Sequence, residues 1–70
     1  MSLNLVKIGV YRVKGLNCSQ RTRKDLENKG FGKGNVVEKK RSANKTYVMT
    51  REGEYRLPRR ILDSIIVEKV

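Results

Sequence analysis

The sequence predicts a small α+β domain in which one helix packs on a curled antiparallel sheet. The chain has 70 residues, enough for a single domain over residues 1–70. Short runs of alternating apolar and polar residues are typical of strands, and one stretch with helical spacing lies between the first two runs. The predicted order is β-α-β-β-β-(helical turn)-β. A winged helix, with the central hairpin as its wing, is the alternative fold.

The first predicted strand runs from Leu3 to Val13 and contains a change of pattern. Apolar residues alternate with polar ones on both sides of a break between Val10 and Tyr11. A shift of one residue moves side chains to the other face of a sheet. Either both faces of this strand are partly covered, or a bulge near Gly9 resets the register.

A helix is predicted from Cys18 to Lys29. Asn17 precedes it and is a favourable N-cap residue. Gly30 follows it and suits the left-handed conformation that ends many helices. In such a C-terminal motif Leu26 and Phe31 would touch.

Three further strands are predicted to form an antiparallel meander. The first two, Val36 to Arg41 and Thr46 to Arg51, are joined by residues 42–45, and a tight turn leads to the third, Glu54 to Leu57. Pro58 ends this strand because proline has no N–H group to donate to a neighbouring strand.

The end of the chain is predicted as one helical turn at Arg59–Asp63 and a strand from Ile65 to Val70. The turn follows a proline, which is favoured at helix starts, and the strand is rich in β-branched residues. Most of the core is expected to come from Val6, Ile8, Val10, Leu26, Phe31, Val37, Val48, Leu57, Leu62 and Ile66.

Charge is the strongest functional signal in the sequence. Seventeen Lys and Arg face seven Asp and Glu, a formal charge of +10. A polyanionic partner relieves the resulting repulsion and adds the gain from counterion release. The chain is therefore predicted to bind nucleic acid, duplex DNA in preference to RNA, as a regulator or architectural factor.

Three groups of residues are predicted to make these contacts. Only the outer face of a strand solvates charge at low cost, so the basic hairpin is expected to project from the body and enter a groove. Its candidate residues are Lys39, Lys40, Arg41, Asn44 and Lys45. The exposed face of the helix adds Arg21, Arg23 and Lys24. Near Pro58, the guanidinium groups suited to two-point phosphate contacts are those of Arg56, Arg59 and Arg60.

Residue types that are rare or absent limit the other function classes. Cys18 is the one cysteine and histidine is absent, which excludes an internal disulfide and a cysteine-based zinc site. We expect no enzyme activity, no cofactor, no metal, no membrane span and a reducing cytoplasmic location. A homodimer is a further expectation.

Two alternatives to nucleic-acid binding follow from the same residues. A small basic protein could bind an acidic protein partner and inhibit it. It could also be a metal-free ribonuclease that uses Tyr47 or Tyr55 together with Arg56.

Overall fold

Five strands and two helices follow one another in the predicted order, in a computed structural model that describes all of residues 1–70. They are β1 (Gly9–Leu16), α1 (Gln20–Asn28), β2 (Val36–Ser42), β3 (Lys45–Thr50), β4 (Gly53–Tyr55), α2 (Arg59–Ser64) and β5 (Ile65–Lys69). The strands form one antiparallel sheet in the order β4-β3-β2-β1-β5. The winged-helix alternative is wrong, because only α1 precedes the hairpin and β1 lies inside a five-stranded sheet.

The first strand begins later than the sequence predicts. Residues 3–8 lie outside it, and pairing with β2 starts at Gly9. Within β1 the side chains then alternate, with Tyr11 and Val13 buried and Val10 exposed. The bulge expected near Gly9 lies instead just after Val13, in the pairing with β5.

The N-terminus of α1 also differs from the prediction. The helix begins at Gln20 and its N-cap is Ser19, whose side-chain oxygen accepts a hydrogen bond from the Thr22 N–H at 3.3 Å. The predicted cap, Asn17, instead uses its backbone N–H to bond the Ser64 carbonyl at 2.7 Å. Asn17 therefore joins the end of β1 to α2 rather than capping α1.

Replacing Ser19 with alanine should lower the free energy of unfolding by about 1 kcal/mol, because the first turn of α1 loses its side-chain cap. Asn17→Ala is the matched control and should change it by less than about 0.5 kcal/mol. Urea unfolding of both variants measures the difference. A larger loss for Asn17→Ala would show that the cap lies where the sequence pattern predicts it.

The C-terminus of α1 has the predicted structure. Gly30 has φ of 96°. The N–H groups of Gly30 and Phe31 donate to the carbonyls of Glu27 and Leu26 at 3.1 and 2.9 Å, which is the bonding pattern of a Schellman motif. The hydroxyl of Thr50 donates to the carbonyl of Lys29 at 2.6 Å. This bond ties the end of the helix to β3.

The β2–β3 hairpin turns more tightly than expected. Its loop has two residues, Ala43 and Asn44, with φ values of 50° and 64°. Positive φ at both central positions is typical of two-residue hairpin turns, and asparagine tolerates it well. Asn44 thus has a local structural role at the end of the hairpin.

The core consists of eleven buried apolar side chains: Leu3, Val6, Tyr11, Val13, Leu26, Phe31, Val37, Val48, Leu62, Ile65 and Val67. Six of these were predicted. The prediction is wrong for Ile8 and Val10, which are exposed, while Leu57 and Ile66 are half-buried. Leu3 is fully buried because residues 1–3 run beside β5, where its N–H donates to the Ile65 carbonyl at 2.8 Å.

Candidate partner-binding surface

Lys39 does not lie on the outer face of the hairpin, and its predicted role in contacting DNA is wrong. Its side chain is buried, with 7% of its surface exposed. Consecutive residues of a strand point to opposite faces, so Lys39 shares the inner face of β2 with Val37. Three successive cations cannot all project outward from one regular strand.

The Lys39 ammonium is held by backbone carbonyl groups of the N-terminal segment. Its Nζ donates to the carbonyls of Leu3, Asn4 and Val6 at 2.8, 3.1 and 2.8 Å. Burial lowers the pKa of Lys39, whereas the three carbonyl acceptors favour the charged form. The result is that β2 fixes the path of residues 3–6 through a single side chain.

An open apolar cleft lies beside this fixed segment. The cleft has a volume of about 420 Å³ and includes Leu5, Ile8 and Val10 in its lining, which are 78%, 52% and 44% exposed. The charged side chains of the lining belong to Lys7 and Lys69, and it contains no carboxylate. We call this feature the N-terminal cleft.

The other predicted hairpin residues lie together at the turn of the β2–β3 hairpin. Arg41, Asn44 and Lys45 are exposed and Lys40 is half-buried. Nearby, the Arg56 guanidinium lies over the ring of Tyr47 at 6.0 Å from its centroid. The hairpin end is therefore basic, and Arg56 extends that basic surface onto the chain that follows β4.

The cations of α1 lie at the opposite end of the sheet. Arg21, Arg23 and Lys24 are exposed, and Arg23 donates to the carbonyl of Leu16 at 3.0 Å. Leu16 lies past the start of β2, since Arg12 already pairs with Val36. The hairpin turn is at the far end of that strand, about 20 Å away at roughly 3.3 Å per residue.

The two arginines of α2 do not connect the cations of α1 with those of the hairpin. Arg59 and Arg60 are exposed, and Arg60 lines a groove with Cys18 and Thr22 near the start of α1. The predicted contact residues thus occupy two separate regions of the molecule. The predicted contact residues therefore do not form a single basic surface.

The residues proposed for ribonuclease chemistry have other contacts. The ring of Tyr55 packs against Phe31 with centroids 6.0 Å apart, while Tyr47 is covered by Arg56. No three side chains of His, Cys, Asp or Glu come together as a metal site. Neither α1 nor α2 has the length and apolar character needed to cross a membrane.

Comparison with known proteins identifies a family and a fold. The model of the FeoA domain matches residues 1–69. The solution NMR structure of the FeoA protein from Chlorobium tepidum superposes with a TM-score of 0.85 at 20% identity, covering 100% of this chain and 70% of that one. The NMR structure of a FeoA-like protein from Clostridium acetobutylicum gives 0.82 at 20% identity, covering 100% and 86%. At this identity the two structures show the fold, an SH3-like barrel.

No curated protein matches the chain at a significant level. The family match contradicts the predicted binding of duplex DNA or RNA and the predicted role in transcription, because the family is associated with ferrous-iron transport and not with nucleic acid. The net positive charge was therefore misassigned to a nucleic-acid partner.

Proposed function

The chain belongs to the FeoA domain family, and from this we propose that it is a non-catalytic accessory protein of ferrous-iron transport, acting in the cytoplasm by contact with a partner protein. The match over residues 1–69 is the observation that carries the proposal. The fold of the two FeoA structures supports it.

The surface of the molecule favours a role in binding a partner over a role in catalysis. The N-terminal cleft exposes Leu5, Ile8 and Val10 close together, and grouped exposed apolar side chains often mark a binding site. Histidine, the residue that most often carries acid–base catalysis, is absent. These two features support a binding role for this chain.

Ferrous-iron uptake tests this proposal. Cells of the source organism that lack the gene for this chain should take up radioactive Fe²⁺ severalfold more slowly than the parent, because the transport system lacks its accessory protein. The wild-type chain supplied in trans should restore the rate. Uptake of Mn²⁺ by the same cells serves as the specificity control and should not change.

Equal rates of Fe²⁺ uptake with and without the chain would overturn the proposed function. An equal loss of Mn²⁺ uptake would do so as well, because it would indicate a general defect of the cells.

A further inference from the structure

We propose that the N-terminal cleft binds an apolar side chain that a partner protein presents between carboxylates. This inference rests on the proposed function, because the partner would be a protein of the ferrous-iron transport system. It adds the site on this chain and the chemistry that the partner must offer.

The cleft is where the exposed apolar surface of the molecule is concentrated. Six large apolar side chains are exposed in the whole chain, and four of them, those of Met1, Leu5, Ile8 and Val10, line this cleft. Burying such side chains against a partner releases water from apolar surface, which is the main favourable term in protein association. A partner that places an apolar side chain in this cleft therefore gains the most binding free energy.

The cleft is also held in shape before a partner arrives. Lys39 fixes residues 3–6 through its three carbonyl contacts. The Tyr11 hydroxyl donates to the Lys7 carbonyl at 2.7 Å and fixes the next part of the segment. Because these bonds already order the backbone, binding loses less conformational entropy than it would with a mobile loop. Exposure of Ile8 is thus a property of a fixed backbone.

The charge of the cleft lining indicates which groups should flank the apolar side chain of the partner. Lys7 and Lys69 line the cleft and no carboxylate does, within a chain whose net charge is +10. Complementary charge speeds encounter and selects partners. Carboxylates beside the apolar anchor would face these two lysines. An anionic lipid surface offers the same charge, but proteins that bind at such a surface typically insert the apolar face of an amphipathic helix, whereas these side chains line a cleft and none of them lies in a helix.

Ile8→Glu is the variant that tests the site, with Val36→Glu as its matched control. Val36 is 47% exposed, close to the 52% of Ile8, but it does not line the cleft. In cells that lack the natural gene, Ile8→Glu should fail to restore Fe²⁺ uptake, whereas Val36→Glu should restore it. Thermal unfolding of both purified variants checks that they are folded.

Three synthetic peptides of equal length supply the test with purified protein. The first carries two leucines at four-residue spacing among glutamates, the second replaces the glutamates with lysine, and the third replaces the leucines with serine. Amide shifts in NMR spectra should move at residues 5–11 with the first peptide. The wild-type protein should bind the lysine and serine peptides at least about tenfold more weakly than the first peptide. The Ile8→Glu variant should show the same loss of affinity for the first peptide.

Several outcomes would overturn the inference. Equal binding of the leucine and serine peptides would show that the protein binds by general charge attraction. Equal binding of the glutamate and lysine peptides would show that carboxylates beside the apolar side chain are not required. Tight binding of wild-type protein to phosphatidylglycerol vesicles that Ile8→Glu abolishes would assign the cleft to a membrane. Full restoration of Fe²⁺ uptake by folded Ile8→Glu would sink the inference alone, whereas no effect of deleting the gene would sink the proposed function.

Discussion

The Lys39→Met variant should lose about 2–4 kcal/mol of unfolding free energy, because removing one partner leaves buried polar groups without hydrogen bonds. Methionine keeps most of the apolar length of the side chain but cannot donate to the carbonyls of Leu3, Asn4 and Val6. Those carbonyls must then stay unpaired or turn to water. In the second case the segment leaves the sheet and exposes Leu3, which is fully buried in the wild type.

Lys40→Met is the control for this substitution. Lys40 is the next residue of β2, is half-buried and makes no side-chain hydrogen bond or ion pair, so its replacement should change the free energy of unfolding by less than about 0.5 kcal/mol. Urea unfolding gives both values. Equal stability of the two variants would mean that the buried ammonium does not hold the N-terminal segment.

Gly30→Ala should destabilise the protein about as much as Lys39→Met. The expected loss of unfolding free energy is about 3 kcal/mol or more, and it has two causes. The first is backbone strain, since φ is 96°. The second is a clash, because a Cβ at this position would lie 2.6 Å from Thr50 Oγ1 and 2.8 Å from Thr50 Cβ. Moving Thr50 would break its hydrogen bond to the Lys29 carbonyl, which joins α1 to β3.

Two other glycines separate strain from clash. Gly34 has φ of 90°, and a Cβ added there would have no neighbour within 4 Å, so Gly34→Ala should show the strain alone, about 1–2 kcal/mol. Gly15 has neither a positive φ nor a neighbour within 4 Å, so Gly15→Ala should be close to neutral. In thermal unfolding, the loss of stability should be largest for Gly30→Ala, smaller for Gly34→Ala and smallest for Gly15→Ala. A loss at Gly30 equal to that at Gly34 would exclude the clash with Thr50.

Elements specified by local chemistry could be predicted from the sequence. The end of α1 depends on Gly30 and on its contact between Leu26 and Phe31, all within one short stretch of chain, and the structure has that motif. Pro58 and the β-branched run that starts at Ile65 likewise place α2 and β5 where they occur. These signals act between near neighbours, so no knowledge of the rest of the fold is needed.

Features that depend on distant contacts could not be predicted. Burial of Lys39 requires carbonyls from residues more than thirty positions earlier in the chain. The strand alternation placed Lys39 on the same face as Val37, but the density of charge around it favoured an exposed position. The alternation break before Tyr11 was the available signal for the N-terminal cleft, since it lies close to Gly9, where the chain joins the sheet.

The nucleic-acid prediction was wrong because net charge says little about which partner a protein binds. A charge of +10 favours any acidic partner. The exposed residues predicted to contact nucleic acid are divided between the hairpin end and the region of α1 and α2, so they do not form one surface for a phosphate backbone. An apolar cleft with a basic lining is a smaller feature and is harder to recognise from composition.

Hydrogen–deuterium exchange on membranes is the most direct measurement of whether the chain acts by contact through the N-terminal cleft. The wild-type chain would be mixed with membranes from cells that produce the ferrous-iron transport system and with membranes from cells that lack it. We expect the amides of residues 4–10 to exchange more slowly only with the first membranes. Slower exchange confined to the hairpin residues 40–45, or no difference between the two membranes, would contradict this conclusion.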